Sequence, residues 1–200
     1  MYLFGASGHG KVVAETAESA GMKISGFIDD NPALINVWDY PVLREIPPGN
    51  PEVFLSVGNN LTRKKLSARF PDLNYPAIIH SATSVSRRAS LGEGTVIMSG
   101  VSVNADVRIG RHCILNTNSS VDHDCIIGDF AHISPNAALA GDVKVGEGAH
   151  IGIGASVIQG ISIGKWAVIG AGAVIIRDVP DFAVVVGNPG KLIKFNEIRT

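Results

Sequence analysis

Residues 79–175 read IHSATSVSRRASLGEGTVIMSGVSVNADVRIGRHCILNTNSSVDHDCIIGDFAHISPNAALAGDVKVGEGAHIGIGASVIQGISIGKWAVIGAGAVI, and every sixth residue from Ile79 to Ile175 is aliphatic. Seventeen anchors keep this phase without a miss, and four places after each comes a small or β-branched residue such as Thr95, Cys113, Cys125, Ala149 or Ala173. A period of six is neither the 3.6 of a helix nor the alternation of a half-buried strand. It predicts a parallel β-helix in which three six-residue faces close each triangular coil, with the anchors pointing inward. Coils stacked about 4.8 Å apart give a column roughly 27 Å tall. Gly92, Asn104, Gly110, Asn116, Gly128, Gly146, Gly152, Gly164 and Gly170 follow anchors directly, at bends expected to need unusual backbone angles.

The preceding residues have a different grain. Tyr2–Phe4 begin a strand, Gly5-Ala6-Ser7-Gly8-His9-Gly10 follow, and a helix is expected from Lys11 to Ala20, stopped by Gly21. A second strand, 24–28, ends in Asp29-Asp30. A proline-rich loop leads to a third strand, 53–57, and Gly58. A helix carrying Arg63, Lys64, Lys65 and Arg69 and a last strand over 75–79 complete a small open α/β sheet of Rossmann-like character. The chain thus divides into a nucleotide-binding type of domain over 1–78 and a β-helix with a C-terminal tail over 79–200. Past Ile175, residues 183–186 add one more strand before Gly187-Asn188-Pro189-Gly190-Lys191 turns the chain into the tail.

Composition excludes some functions. A formal net charge of −1 leaves no electrostatic footprint for nucleic acid. No window approaches the ~20 apolar residues of a membrane span. The opening MYLFGASGHGK has no basic flank and its apolar run ends at Gly5, unlike a signal peptide. Cys113 and Cys125 fall on inward positions of the repeat, which predicts buried reduced thiols and a cytoplasmic protein.

Three stretches carry candidate chemistry. The glycine loop has the wrong order for the dinucleotide fingerprint, and Val12 stands where a P-loop needs Ser or Thr. The shared physics remains: a glycine turn admits close approach, a helix N-terminus favours an anion, and Asp29 and Asp30 end the next strand where ribose or base would lie. A nucleotide or nucleotide-sugar fits both ends; a tight turn beside a solvated acidic pair is the alternative. On the repeat, Asn116-Thr117-Asn118-Ser119-Ser120-Val121-Asp122-His123-Asp124 is the densest polar cluster. His123 stands off the inward set between two carboxylates, as suits a general base, or as a merely exposed histidine. His132 and His150 are eighteen residues apart, hence stacked on consecutive coils. Such a pair raises zinc as a possibility, but His112 and His123 lie at other phases and no third ligand is assigned.

VDHDCIIGDFAHISPNAALAGDVKVGEGAHIGIGASV resembles the left-handed β-helix acyltransferases that use acetyl-CoA. Together with GASGHGKVV, FIDD and SVGNN, it makes nearly the whole chain resemble the sialic-acid O-acetyltransferase-like subfamily, especially the UDP-4-amino-sugar N-acetyltransferases of bacillosamine synthesis. The resemblance implies a left-handed coil, acetyl-CoA as acyl donor, a nucleotide-sugar acceptor and a homotrimer with active sites between neighbouring columns. It matches His123 to the base and Asp124 to its acidic partner, where related members carry Glu. Asn116 matches a polar residue near the reacting centre and His132 a contact to acetyl-CoA. Gly141, Ile153 and Ala171 match the thioester and pantetheine groove, and Ser7, Gly8, His9, Asp29, Asp30 and Gly58 the nucleotide-sugar site. The closing Gly187-Asn188-Pro189-Gly190-Lys191 resembles the family's Gly-x-Pro-Ala-Lys. Competing readings are O-acetylation of a sialic acid or another sugar, a zinc-dependent hydratase on the same fold, and a non-catalytic trimeric scaffold.

Overall fold

A computed structural model describes residues 1–197; the last three residues of the expected tail lie outside the described residues. The N-terminal lobe is a five-stranded sheet in the order β3-β4-β2-β1-β5, with β1 Tyr2–Phe4, β2 Gly26–Ile28, β3 Asn36–Val37, β4 Tyr40–Leu43 and β5 Val53–Leu55. All pairings are parallel except the β3–β4 hairpin. Helices α1, Gly8–Ser19, and α2, Asn60–Arg69, accompany it. Leu3, Phe27 and Phe54 from the sheet pack with Val13, Ala14 and Ala17 of α1 and with Ile78, Val96, Met98 and Ile114 of the column, so one apolar core spans lobe and column.

Two features of the lobe depart from the sequence reading. The proline-rich loop contains β3 and β4, which bury Val37 and Val42; strands of two and four residues flanked by prolines are too short to show a period. The last strand is only β6, Ile78–Ile79, and it pairs with Val96–Ile97 of the column instead of joining the lobe sheet. Tyr75 explains the difference. Its ring packs with Val53 and Leu55 of the lobe and edge-on against His112 of the column, with centroids 4.8 Å apart, so the chain is crossing from lobe to column at this point.

From Ile78 to Ile175 the chain makes two-residue strands at six-residue intervals, and those up to Ser156–Val157 each pair in parallel with the strand eighteen residues on. The strands form three walls. The first runs from β6 through Ile114–Leu115, His132–Ile133 and His150–Ile151 to Ala183–Val186, and it carries the lobe. The second includes Ser120–Val121 and Ala138–Leu139, and the third Ile126–Ile127 and Lys144–Val145. Anchors from Ile97 to Ile175 fill the prism with Cys113, Cys125 and the alanines, and both cysteines are free and buried. Ala183–Val186 closes the first wall, and the tail folds back on it as an antiparallel strand, Lys191–Phe195.

The bends correct one expectation. Left-handed backbone falls three places after the anchors from Leu91 to Ile169, for example at His112 (φ 51°), Asp124 (φ 62°), Phe130 (φ 60°) and Gly154 (φ 64°), not at the residue immediately after them. Glycine at that earlier position serves stacking: a Cβ on Gly146 would stand 2.6 Å from the amide nitrogen of Lys165 in the next coil. No described helix is long and apolar enough to cross a membrane.

Candidate active site

The corner between the second and third walls carries Asp122-His123-Asp124. Asp122 caps the backbone: its Oδ1 accepts His123 N–H at 2.8 Å and Asn104 Nδ2–H at 2.6 Å. Asp124 is left-handed, a conformation Asp tolerates better than most residues, and this swings its carboxylate back beside the preceding ring. His123 Nδ1 then lies 2.7 Å from Asp124 Oδ2, so the short acid reaches the ring. This bond, then the charge of Asp122, raises the His123 pKa above its ordinary value. With the Nδ1 proton held by Asp124, the Nε2 lone pair is left to accept a proton.

One coil further on, Gly141 makes room for the ring: a Cβ there would lie 2.6 Å from His123 Cε1 and 2.7 Å from Nε2. The Gly141 carbonyl accepts Gly160 N–H at 3.0 Å, while its own N–H donates to no acceptor among the described residues. His123, Asp124 and Gly141 therefore bring a base, its orienting acid and an unclaimed backbone donor to one corner. His123 and Asp124 side chains are 60% and 59% exposed, so this chain alone does not enclose a substrate over them.

A second cluster forms where the lobe meets the first wall. Helix α1 starts at Gly8, three residues earlier than the pattern suggests, and the Ser7 side chain caps nothing. The first amides of the helix are thus left for an anion. His9 faces His132 with ring centroids 6.3 Å apart, and His132 stacks on His150 at 4.8 Å. Asn116 Nδ2 lies 3.1 Å from His132 Nε2, and Ser134 Oγ lies 2.9 Å from His150 Nε2. Burial, helped by the Arg63 charge, depresses His9 to about 4. Burial and the neighbouring His150 depress His132 to about 3. Both rings are neutral polar groups near neutral pH. No group of three or more His, Cys, Asp or Glu side chains among the described residues is arranged to hold a metal ion.

The remaining sequence candidates separate. Gly58 lies beside His9, its missing Cβ position 3.7 Å from Cγ of the ring. Asp29 is occupied by the fold, since its oxygens accept Ala6 N–H at 2.9 Å and Asn31 N–H at 3.0 Å, holding the glycine turn. Asp30 is exposed, and both acids line a 760 Å³ cleft with Phe4, Phe70 and Arg69 at the end of the lobe sheet. Ile153 and Ala171 are exposed on successive coils of the corner between the first and second walls, away from Gly141.

Sequence reasoning passed over Arg63 and Asn60. Arg63 sits among the charged residues of α2 with no apolar stripe to mark its face, yet it is 1% exposed. Its guanidinium donates to the carbonyls of His112 and Phe130, each at 2.8 Å, and of Val57 at 2.9 Å. Asn60 Nδ2–H reaches the Gly148 carbonyl at 3.1 Å. Together they fix the lobe to the first wall. The corner holding His123 is the one opposite that wall, so a single chain does not bring His123 to the lobe.

Residues 1–70 match the model of the PglD N-terminal domain, and residues 142–177 that of the bacterial transferase hexapeptide, six repeats. Perosamine N-acetyltransferase PerB from Caulobacter crescentus, solved with CoA and GDP-perosamine, is 39% identical over 96% of both chains, with a TM-score of 0.89. The chain belongs to the left-handed β-helix sugar N-acetyltransferases. The acetyltransferase domain of PglB from Neisseria gonorrhoeae, solved with acetyl coenzyme A, is 37% identical, with 96% of this chain and 98% of that one covered and a TM-score of 0.90. WeeI from Acinetobacter baumannii is 29% identical with the same coverage and a TM-score of 0.87. As a member of this acetyltransferase family, the chain has both parts the sequence reading expected, a Rossmann-like lobe and a left-handed β-helix.

Proposed function

We propose that the protein transfers acetyl from acetyl-CoA to the amine of a UDP-4-amino-4,6-dideoxy sugar of the bacillosamine type, with His123 as general base. The observation that carries this reading is the corner of His123, Asp124 and Gly141, with Nε2 free and the Gly141 N–H unclaimed. The sugar amine attacks the thioester carbonyl as Nε2 takes its proton. The Gly141 N–H meets the oxygen on which charge develops. Collapse of the tetrahedral intermediate breaks the C–S bond, and the imidazolium returns the proton to the departing CoA sulfur. No acyl-enzyme is proposed, because both cysteines are buried in the core of the prism and neither is offered to a thioester. Direct transfer is supported by PerB, solved with CoA and GDP-perosamine bound together.

In this reading Ser7, Gly8, His9, Asp29, Asp30 and Gly58 serve the nucleotide-sugar, Asn116 adjoins the reacting centre and His132 contacts acetyl-CoA. Ile153 and Ala171 line the pantetheine groove. The family resemblance implies a homotrimer, and the placement of the lobe and His123 on opposite sides of one prism supports an assembly in which each site joins the His123 corner of one chain to the lobe of the next. The PerB complex with GDP-perosamine favours a guanosine-linked amino sugar as the second acceptor to try.

The test is acetyl-CoA consumption with UDP- and GDP-linked 4-amino sugars and their 4-hydroxy counterparts. Turnover of an amine with the hydroxy sugars inert is the expected result, with UDP preferred. Turnover of the hydroxy sugars alone would assign O-acetylation, and turnover of the GDP amine alone would correct the nucleotide.

A further inference from the structure

The third wall, beside the His123 corner, presents Ser90, Arg108, Ile126, Lys144 and Ser162 outward, one below another at the strand spacing of about 4.8 Å. All are exposed, and Ile126 alone among them is apolar, with 42% of its surface open. It follows His123 by three residues, so no more than about 11 Å of chain separates their Cα atoms. Ile126 and Lys144 line the head of a 520 Å³ cavity that runs down this wall. The acids at its foot are engaged by backbone, Asp178 by Ser162 N–H at 2.8 Å and Asp181 by Lys165 N–H at 2.7 Å. Lys144 Nζ stands 4.0 Å from Asp142 Oδ1, an exposed pair too weak to keep it from another anion.

Lys144 also stands at a particular height. It lies between His132 and His150 along the chain, and so between their coils. His9, in the first turn of α1, faces His132. In a closed ring of identical columns equivalent residues share one level, so Lys144 of one chain stands level with the helix start of the next lobe. Arg108 lies one strand above Ile126, toward the end of the column where α1 finishes with Ser19 Oγ 2.6 Å from Ser81 Oγ.

Accepting the proposed acyl transfer at a site shared between chains, on which this step rests, we infer that Ile126 seats the C6 methyl of the acceptor sugar and that Lys144 binds its diphosphate. The amine on C4 and the methyl on C5 hang from adjoining ring carbons, about 3 Å apart by standard bond lengths. An amine in hydrogen-bond reach of His123 Nε2 brings its methyl along, and Ile126 is the exposed apolar side chain that this wall offers it. The first phosphorus, across the ring, is about 6–7 Å from the amine, within reach of a lysine one strand on. The diphosphate is then held from two sides, by the free amides at the start of α1 and by Lys144 of the neighbouring chain. A 6-hydroxy sugar would press onto Ile126 a hydroxyl that finds no partner there, which makes Ile126 a selector for 6-deoxy acceptors.

Steady-state kinetics with acetyl-CoA and two 4-amino sugars, one 6-deoxy and one 6-hydroxy, on whichever of UDP or GDP the enzyme prefers, tests both residues. Wild type should favour the 6-deoxy sugar about tenfold in kcat/KM, and Ile126→Ser should erase that preference. Lys144→Ala should raise the acceptor KM about tenfold with kcat and the acetyl-CoA KM unchanged, and Lys144→Arg should recover part of the loss. Arg108→Ala removes a cation from the other side of Ile126 and should change neither KM. A wild type indifferent to the 6-position, an Ile126→Ser enzyme that keeps the preference, an acceptor KM unmoved in Lys144→Ala, or a rise in the acetyl-CoA KM in its place would overturn the inference while the acetyltransferase reading stands. A wild type that acetylates no amine on either nucleotide would overturn both.

Discussion

His123→Ala is expected to lower kcat by about 10²–10⁴-fold, the usual contribution of a positioned general base, with CoA binding retained. The ring is exposed on a corner and fills no core, so its removal should leave the fold intact. The pH profile distinguishes a base from a packing residue. Only neutral imidazole accepts a proton, so activity must rise with pH through the His123 pKa, which the Asp124 bond and the Asp122 charge hold above the ordinary histidine value. Asp124→Asn removes the larger of these effects and should move the acidic limb of kcat to lower pH while reducing kcat itself. Steady-state kinetics across pH measures both. A His123→Ala enzyme with wild-type turnover, or an acidic limb unmoved in Asp124→Asn, would remove His123 from the mechanism.

The second large effect is on stability. Arg63→Met keeps much of the side-chain volume but leaves the buried carbonyls of His112, Phe130 and Val57 without their donor. Unpaired buried acceptors cost about 1–3 kcal/mol each, partly offset because the guanidinium need no longer be desolvated. A net loss of about 3 kcal/mol, seen as a fall in Tm of roughly 6–12 °C, is expected. Arg63→Lys should not rescue it, since an ammonium lacks the planar fork that reaches several carbonyls at once. The same charge helps burial depress His9 and His112 to about 4. Their folded pKa values lie below the unfolded value of about 6.5, so the unfolded chain binds more protons between these limits and stability falls as pH drops through that window. In Arg63→Met the folded values move back toward 6.5, and the acid slope should be shallower. Thermal denaturation from pH 7 to 4 reads both effects; an unchanged Tm at pH 7 would mean that Arg63 does not hold the lobe to the column.

The column was legible because its inward positions obey one rule seventeen times, and a six-residue phase has no other compact solution. The bends were only half legible. Glycine after an anchor looks like a residue chosen for its angles, but at Gly146 it is chosen for the backbone of the coil beneath, whereas the left-handed position accepts His112, Asp124 and even Phe130. His123 stood out because polar residues crowd the positions between anchors there, and the reach of Asp124 was unreadable because it depends on a backbone angle. Asp29 illustrates the opposite limit. Its place at the end of a strand suggested ribose, and the sequence did not show that the same carboxylate also accepts Ala6 N–H and holds the glycine turn. Arg63 was invisible because burial of a charge leaves no hydrophobic signature in a helix otherwise rich in cations.

The account turns on a site shared between chains, and mixed trimers test it most directly. Gly8→Asp should disable the lobe without unfolding it: a Cβ at Gly8 meets nothing within 4 Å, and an acid suits a helix start while repelling a diphosphate. His123→Ala and Gly8→Asp are each expected to be nearly inactive. Co-expressed in equal amounts and purified through separate tags, they should regain activity, because about a quarter of sites in randomly mixed trimers pair an intact His123 with an intact lobe on its neighbour. Recovery approaching that level confirms that His123 of one chain serves the lobe of the next; mixed trimers as inactive as their parents would contradict it.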